Sequence, residues 1–200
     1  MTPDDALVAA ARLGDERAFD TLFARHYGQV VNLAFRLQGS MDDAEDIAQT
    51  AFIRAHANLK RLRDGQAILA WLYRTVVNLV RDKAKSARRK PLLRFGDLSR
   101  SGEDGGAEAY DGTPDSSLDP ARIVEASHLQ EALERAIAGL PLEFREPLVL
   151  HHFQQVNVEQ ISEILGVPVG TVKSRLSRAR GRLREALRPW FADVSERKSE

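Results

Sequence analysis

The stretch NVEQISEILGVPVGTVKSRLSRARGRLREAL, residues 157–187, determines how the rest of the chain is interpreted. Asn157 is a suitable N-cap for a short first helix, because its side chain can accept a hydrogen bond from a free backbone N–H. The segment Gly166–Gly170 supplies a turn and the start of a second helix. The pattern therefore predicts a helix-turn-helix. The apolar face of its first helix consists of Ile161, Ile164 and Leu165.

The second of these helices combines one apolar stripe with a basic surface. The stripe recurs at steps of four and three residues, which predicts burial of one helix face. It consists of Val172, Leu176, Ala179, Leu183 and Ala186. Basic side chains on such a helix contact phosphates, and side chains near its N-terminus reach base edges. A basic helix alone is as often a solvated charged face, but joined to the helix-turn-helix pattern it predicts DNA binding.

Composition excludes several classes of protein. The chain has 200 residues, is 43% hydrophobic and has a formal net charge of zero, so any attraction to nucleic acid must come from local charge. Cysteine is absent, which excludes disulfides, thiol nucleophiles and cysteine metal sites. His151 and His152 are adjacent and lack a ligand partner at helical spacing, so no metal or cofactor is expected. Without a signal segment or membrane span, the sequence predicts a cytoplasmic protein.

Helical periodicity occurs throughout the chain outside one acidic stretch. The pattern predicts an all-α protein with two small helical domains, 1–90 and 121–190, joined by an acidic flexible linker, 91–120. Thirty residues of coil extend to about 100 Å at most, so the domains can contact DNA at points up to about 30 base pairs apart. The tail, 191–200, follows Trp190 and is expected to fold back as a hydrophobic clamp or to make a regulatory contact.

Four motifs resemble those of the extracytoplasmic-function group of sigma-70-type RNA polymerase sigma factors. They are DAEDIAQTAFIRAH (43–56), AWLYRTVVN (70–78), LPLEFREPLVL (140–150) and GVPVGTVKSRLSRARGRL (166–183). The resemblance extends over about residues 5–188, with the motifs in the family's order around a linker that does not conform. It implies a protein without catalytic activity, in which 1–90 corresponds to sigma region 2 and 121–190 to sigma region 4.

The resemblance also implies which residues contact promoter DNA. Region 4 would recognise the minus-35 element, with base-facing positions Ser174, Ser177 and Arg178 and phosphate-facing positions Thr171, Lys173, Arg175 and Arg180. Region 2 would recognise and help to melt the minus-10 element. Its candidate DNA-binding residues are Arg61, Arg63, Asp64, Gln66, Trp71, Arg74, Asn78 and Arg81. An extruded base needs a shaped pocket and polar groups for its pairing edge, which this set can provide.

Core RNA polymerase is the second implied partner. The helix that begins near Asp43 would dock on the clamp of the beta-prime subunit, and region 4 would contact the beta flap. The candidate polymerase-binding residues are Asp43, Asp46, Gln49, Phe52 and Arg54. Acids in the first turn of a helix also stabilise it without any partner, and that interpretation stays open. Members of the group are often held inactive by an anti-sigma factor, and the sequence leaves open whether this chain has one.

The chain departs from the family's pattern at four positions, one of which is Asn157, where Ser or Thr is the usual cap. Leu62 and Ile68 occupy positions where relatives often have Phe, so these two side chains either line the base pocket or belong to the core. Trp71 and Tyr73 leave the same choice open, with burial favoured for Tyr73. Gln155 occupies a position where Gly is common.

Two other classes of protein compete with this interpretation. A helix-turn-helix repressor or response-regulator output would use 1–90 for sensing or dimerisation, but that segment has a basic pattern of its own and no phosphoacceptor signature. An enzyme acting on nucleic acid would need a catalytic constellation. The sequence contains neither a glycine-rich phosphate loop nor a supported Ser-His-Asp arrangement.

Overall fold

A computed structural model of the chain describes the backbone of residues 3–62, 64–89 and 120–197. The regular structure in these ranges is helical, which confirms the predicted all-α class. The helices are α1 (Pro3–Arg12), α2 (Glu16–Gln38), α3 (Met41–Ala57), α4 (Gly65–Arg89), α5 (Pro120–Ala138), α6 (Leu142–His152), α7 (Val158–Leu165) and α8 (Val169–Arg197), with a 3-10 turn at Leu59–Arg61. The predicted linker, 91–120, lies outside the described residues apart from Pro120.

Local signals in the sequence set the ends of the first helices. The Asp15 carboxylate caps α2 by accepting the backbone N–H groups of Arg17 and Ala18 at 3.0 and 3.3 Å. At the other end of α2, Gly39 has a φ of 83°, a left-handed conformation that favours glycine. Ser40 then caps α3 through the N–H of Asp43 at 3.4 Å.

Helices α1 to α4 form the first half of the protein around an aliphatic core. The interior contains Leu22, Leu33, Leu72, Val76 and Val77, all of them fully buried. Leu62 and Ile68 belong to the same core, so the choice left open for these two positions is resolved in favour of packing rather than base stacking.

Helices α5 to α8 form the second half, in which α7 and α8 are the predicted helix-turn-helix. Asn157 caps α7 by accepting the N–H of Gln160 at 2.8 Å, and Gly166 ends it with a φ of 67°. Val172, Leu176 and Ala179 are buried and Leu183 is half-buried. The predicted burial of Ala186 is wrong: this side chain is exposed, whereas Leu187 and Trp190 of the same helix are half-buried.

Helix α8 continues to Arg197 without turning back. Pro189 lies inside this helix, where it removes one backbone hydrogen bond but does not end the helix. The described backbone of the tail continues α8, and Trp190 at its start is half-buried, so the hydrophobic clamp and the regulatory contact both stay predictions. The side chains of 191–200 lie outside the described residues.

The two halves pack directly against each other. Helix α4 contacts α7, and α2 contacts both α5 and α6. The buried apolar residues of the two halves form a single hydrophobic cluster. None of the helices in the described ranges is long and apolar enough to cross a lipid bilayer.

Candidate nucleic-acid interface

The outward face of α8 carries the residues predicted to contact minus-35 bases. At about 100° per residue, Ser174, Ser177 and Arg178 lie opposite the buried stripe, and all three are exposed. Lys173 and Arg180 are exposed on one flank of this face. Thr171 and Arg175 are half-buried on the other flank, and the Ser174 hydroxyl donates to the Thr171 carbonyl at 3.0 Å. The helix therefore separates its predicted base-facing and phosphate-facing residues onto different sides.

Helix α6 supports this basic helix from behind. Glu143 lies 3.7 Å from the Arg175 guanidinium, which directs that side chain toward α6. The Arg182 guanidinium lies over the Phe144 ring at 5.1 Å. These two contacts join α8 to α6 at the edge of their buried interface.

The turn before α7 includes a residue in an unusual conformation. Gln155 has a φ of 54°, in the left-handed region that side chains other than glycine rarely adopt. This conformation gives a physical reason why glycine suits the position. The following residue, Val156, is buried and donates its N–H to the Leu150 carbonyl at 3.0 Å, which fixes the entry into the helix-turn-helix.

The residues predicted to contact minus-10 DNA lie around the start and along one side of α4. Arg61, Asp64 and Asn78 are exposed, and Trp71 is half-buried. Asp64 also caps α4, because its carboxylate accepts the N–H of Ala67 at 2.7 Å. Arg63 lies outside the described residues, as does the side chain of Gln66.

Two arginines of the predicted minus-10 set bind the second half of the protein. Arg81 forms a two-pronged ion pair with Glu146 of α6, with both nitrogen–oxygen distances at 2.6 Å. Glu146 is only 2% exposed, and its hydrogen bonds raise the pKa of Arg81. Arg74 donates to the backbone carbonyl of Glu163 in α7 at 2.5 Å.

Further polar contacts join the halves around these arginines. Tyr73 is buried, which fulfils the favoured alternative for this residue, and its hydroxyl donates to Gln154 at 2.9 Å. Burial also raises the pKa of Tyr73 to about 12. Arg145 of α6 donates to the carbonyl of Leu37, near the end of α2, at 2.9 Å. Arg145 and Glu146 were not among the residues predicted from the sequence, because both lie in a helix whose period alone predicts exposed charges.

The predicted polymerase-binding residues lie on α3. Asp46, Gln49 and Arg54 are exposed, whereas Phe52 is 3% exposed and belongs to the core. Phe52 can therefore support this surface but offers little area to a partner. Among the large apolar side chains of α3, Ile53 is the most exposed at 70%, and it was not among the residues predicted from the sequence.

Asp43 forms an ion pair with Lys83 of α4 and accepts from Gln38 at 3.4 Å. The hydrogen bond from Lys83 lowers the pKa of this carboxyl group from 3.8. A carboxyl group whose pKa is lower in the folded than in the unfolded state stabilises the folded state at pH values above the unfolded pKa. This contribution is lost as the pH falls through the folded pKa.

We therefore expect Asp43→Asn to lower the free energy of unfolding at pH 7 by less than about 1 kcal/mol, as for other exposed pairs. The difference from the parent chain should shrink as the pH falls through the lowered folded pKa of Asp43, because the parent carboxyl is then also protonated. Urea denaturation across this pH range measures it, with the exposed first-turn acid Asp42→Asn as the control. A loss that persists at low pH would contradict the role of the charge.

Metal binding is not indicated by the arrangement of side chains. Within the ranges that the structure describes, no group of three or more His, Asp or Glu side chains is placed to hold a metal ion.

The chain is similar to known proteins along most of its length. A model described as Sigma-70 region 2 matches residues 22–90, and one described as Sigma-70, region 4 matches residues 130–183. The chain is 33% identical over 195 residues to the RNA polymerase sigma-H factor of Pseudomonas aeruginosa, covering 96% of this chain and 97% of the relative. It is 32% identical over 181 residues to the ECF RNA polymerase sigma factor SigW of Bacillus subtilis, covering 90% and 95%.

The chain is also similar to proteins of solved structure. CnrH, in complex with the cytosolic domain of CnrY, matches with a TM-score of 0.62 and 25% identity, covering 94% of this chain and 99% of that chain. The sigma factor RpoE of Bartonella quintana, in complex with the anti-sigma factor NepR, matches with a TM-score of 0.66 and 25% identity, covering 85% and 96%. With curated relatives above 30% identity along nearly the whole chain, this protein belongs to the extracytoplasmic-function group of sigma-70 RNA polymerase sigma factors.

Proposed function

We propose that this sigma factor binds core RNA polymerase in the cytoplasm and directs it to promoters through a minus-10 and a minus-35 contact. The observation that carries the proposal is the outward face of α8. It presents Ser174, Ser177 and Arg178 to solvent, with further cations on its flanks. A recognition helix that enters the major groove needs this separation of base-facing and phosphate-facing side chains.

We divide the chain at the boundaries expected from the sequence, with 1–90 as region 2, 91–120 as linker and 121–190 as region 4. In the first half, the exposed residues Arg61, Asp64 and Asn78 are available for minus-10 DNA without any rearrangement. Trp71 is half-buried and can present one edge to an extruded base.

For core polymerase we propose the exposed side of α3 as the surface that docks on the beta-prime clamp. Asp46, Gln49 and Arg54 supply its polar groups, and Ile53 supplies apolar area. Asp43 contributes to the surface while paired with Lys83. The second half would contact the beta flap, as the family resemblance implies.

Promoter binding requires the two halves to separate. The minus-10 and minus-35 elements lie about 25 base pairs apart by their names, which is about 85 Å along B-form DNA. In the packed arrangement the two halves are in contact, and the Arg74 guanidinium donates a hydrogen bond to the Glu163 carbonyl of α7 at 2.5 Å. Arg81 cannot bind a phosphate while Glu146 occupies its guanidinium. A linker of thirty residues can span about 100 Å at most, which is long enough to permit this opening.

An anti-sigma factor is a further proposed partner. Support comes from the solved relative RpoE, which was crystallised with the anti-sigma factor NepR. A protein that binds the packed arrangement better than the open one would keep Arg74 and Arg81 away from DNA, because a ligand shifts an equilibrium toward the state for which it has higher affinity.

Run-off transcription with core polymerase across a promoter library tests the proposed function. We expect transcripts only when this chain is added, and a gel shift of promoter DNA that is weak for the chain alone and strong with core polymerase. The alternative, a repressor, would bind DNA tightly unaided and would give no polymerase-dependent transcript. That outcome would reject the sigma-factor mechanism.

Two substitutions in α8 separate base recognition from phosphate binding. We expect Arg178→Ala to reduce discrimination at one minus-35 base pair by about 1–3 kcal/mol, the value of a bidentate contact to guanine. Lys173→Ala should weaken binding to all sequences alike and reduce its salt dependence. Holoenzyme binding to cognate and scrambled minus-35 DNA, measured at several salt concentrations, distinguishes the two effects. Equal losses on both DNAs for both variants would reject the assignment.

A further inference from the structure

Helix α1 contacts the start of α4, next to the loop that carries candidate minus-10 residues. This helix precedes residue 22, where the region 2 match begins. The loop, residues 62–64, connects the 3-10 turn Leu59–Arg61 to α4; the exposed candidate Asp64 belongs to it, and the exposed candidate Arg61 directly precedes it. Its two ends need fixed positions, because a base pocket works only when its polar groups have a defined geometry.

One end of the loop is fixed by apolar packing. Leu62 is buried in the core, and its N–H donates to the Leu59 carbonyl at 3.1 Å. This contact anchors the chain directly before Arg63 and Asp64.

The other end is fixed by α1. The backbone N–H of Gly65, the first residue of α4, donates to the Asp5 carboxylate at 2.8 Å. Gly65 is buried, and a Cβ at this position would lie 2.4 Å from the Asp4 Cβ and 2.8 Å from the backbone nitrogen of Asp5. Only glycine lets the start of α4 approach α1 this closely.

Helix α1 is itself attached to α2 through the neighbouring acid. Asp4 forms an ion pair with Arg25 and a 2.9 Å contact with Nε2 of His26, a buried histidine. The two adjacent carboxylates therefore contact different elements: Asp4 contacts α2, and Asp5 contacts the first residue of α4, at the end of the loop. Acids in the first turn of a helix favour the helix dipole without any partner, and these two carboxylates form tertiary contacts in addition.

We infer that Asp5 is a positioning residue for minus-10 recognition: it fixes the loop that precedes α4, and thereby the side chains that face the promoter. The inference rests on the proposed function of region 2. It assigns to α1 a role in promoter selectivity that is separate from the minus-35 contact of α8.

The test compares the full-length variants Asp5→Ala, Asp5→Asn and Gly65→Ala in run-off transcription with core polymerase. Promoters with single-base changes in the minus-10 element are paired with promoters changed only in the minus-35 element. Glu16→Ala is the matched control, because Glu16 is an exposed first-turn acid of α2. Thermal unfolding of each variant is measured in parallel.

We expect Asp5→Ala to reduce minus-10 discrimination by about three- to tenfold, the effect of losing one hydrogen bond of typical net strength, with minus-35 discrimination unchanged. Asp5→Asn keeps an acceptor oxygen and should remain within about twofold of the parent chain. Gly65→Ala should reduce discrimination at least as much as Asp5→Ala, because its methyl group displaces the backbone of α1. Glu16→Ala should behave like the parent.

Two results would overturn the inference. One is unchanged minus-10 discrimination in Asp5→Ala, and the other is an equal loss at minus-10 and minus-35, which would indicate a general loss of stability. Absence of core-dependent transcription by the parent chain would instead overturn the proposed function itself, and with it this inference. The parent's own result therefore distinguishes the two failures.

Discussion

Arg81→Ala is expected to destabilise the packed arrangement of the two halves by about 3–5 kcal/mol relative to the open one. The substitution removes both 2.6 Å hydrogen bonds to Glu146 and leaves a carboxylate that is 2% exposed without its partner. A buried unpaired charge costs far more than an ion pair contributes. Because separation of the halves would return Glu146 to water, we expect the variant to open rather than to unfold completely.

Fluorescence energy transfer between labels on the two halves measures this opening, and the absence of native cysteine lets two labels be placed at chosen sites. The control is Lys85→Ala, also on α4, which removes an exposed pair with Asp82 at 3.8 Å and should change stability by less than about 0.5 kcal/mol. Arg81→Met combined with Glu146→Leu should restore the packed arrangement, since apolar replacements avoid the cost of the buried charge. Unchanged energy transfer in Arg81→Ala would contradict the importance of this ion pair.

Local rules predicted the helix-turn-helix because its signals lie within a few residues of their partners. The Asn157 side chain caps α7 by accepting the backbone N–H of Gln160, three positions later, and Gly166 supplies the left-handed conformation that ends this helix. The stripe from Val172 to Leu183 follows from the helical period alone. The period did not predict that Ala186 is exposed while the adjacent Leu187 is half-buried, because the side of a helix that is covered depends on where the other helices lie.

The contact between the halves could not be predicted in this way. Arg81 and Glu146 are 65 residues apart, and each lies in a helix where a charged side chain is ordinarily solvated. Only the tertiary arrangement makes them a buried pair. The role of Asp5 was hidden for the same reason, because its partner Gly65 is 60 residues away and donates a backbone group that leaves no pattern in the sequence.

Locking α4 to α7 is expected to abolish promoter-specific transcription. Ala70 and Gln160 line the same cavity between the halves, and neither belongs to the proposed DNA-binding or polymerase-binding residues. In the variant Ala70→Cys with Gln160→Cys, a short bifunctional thiol reagent that forms reducible disulfides would join the two helices. We expect run-off transcription to fall by at least about tenfold, because activity follows the fraction of molecules that can open.

Reduction of the cross-link should restore transcription to within about twofold of the untreated double variant, since the opening equilibrium is then released. Each single-cysteine variant treated with the same reagent is a control for modification without cross-linking. Full activity in molecules whose cross-link is verified by gel mobility would show that the halves need not separate. The linked chain could then not reach elements about 85 Å apart, so the two-point reading of promoter DNA would have to be abandoned.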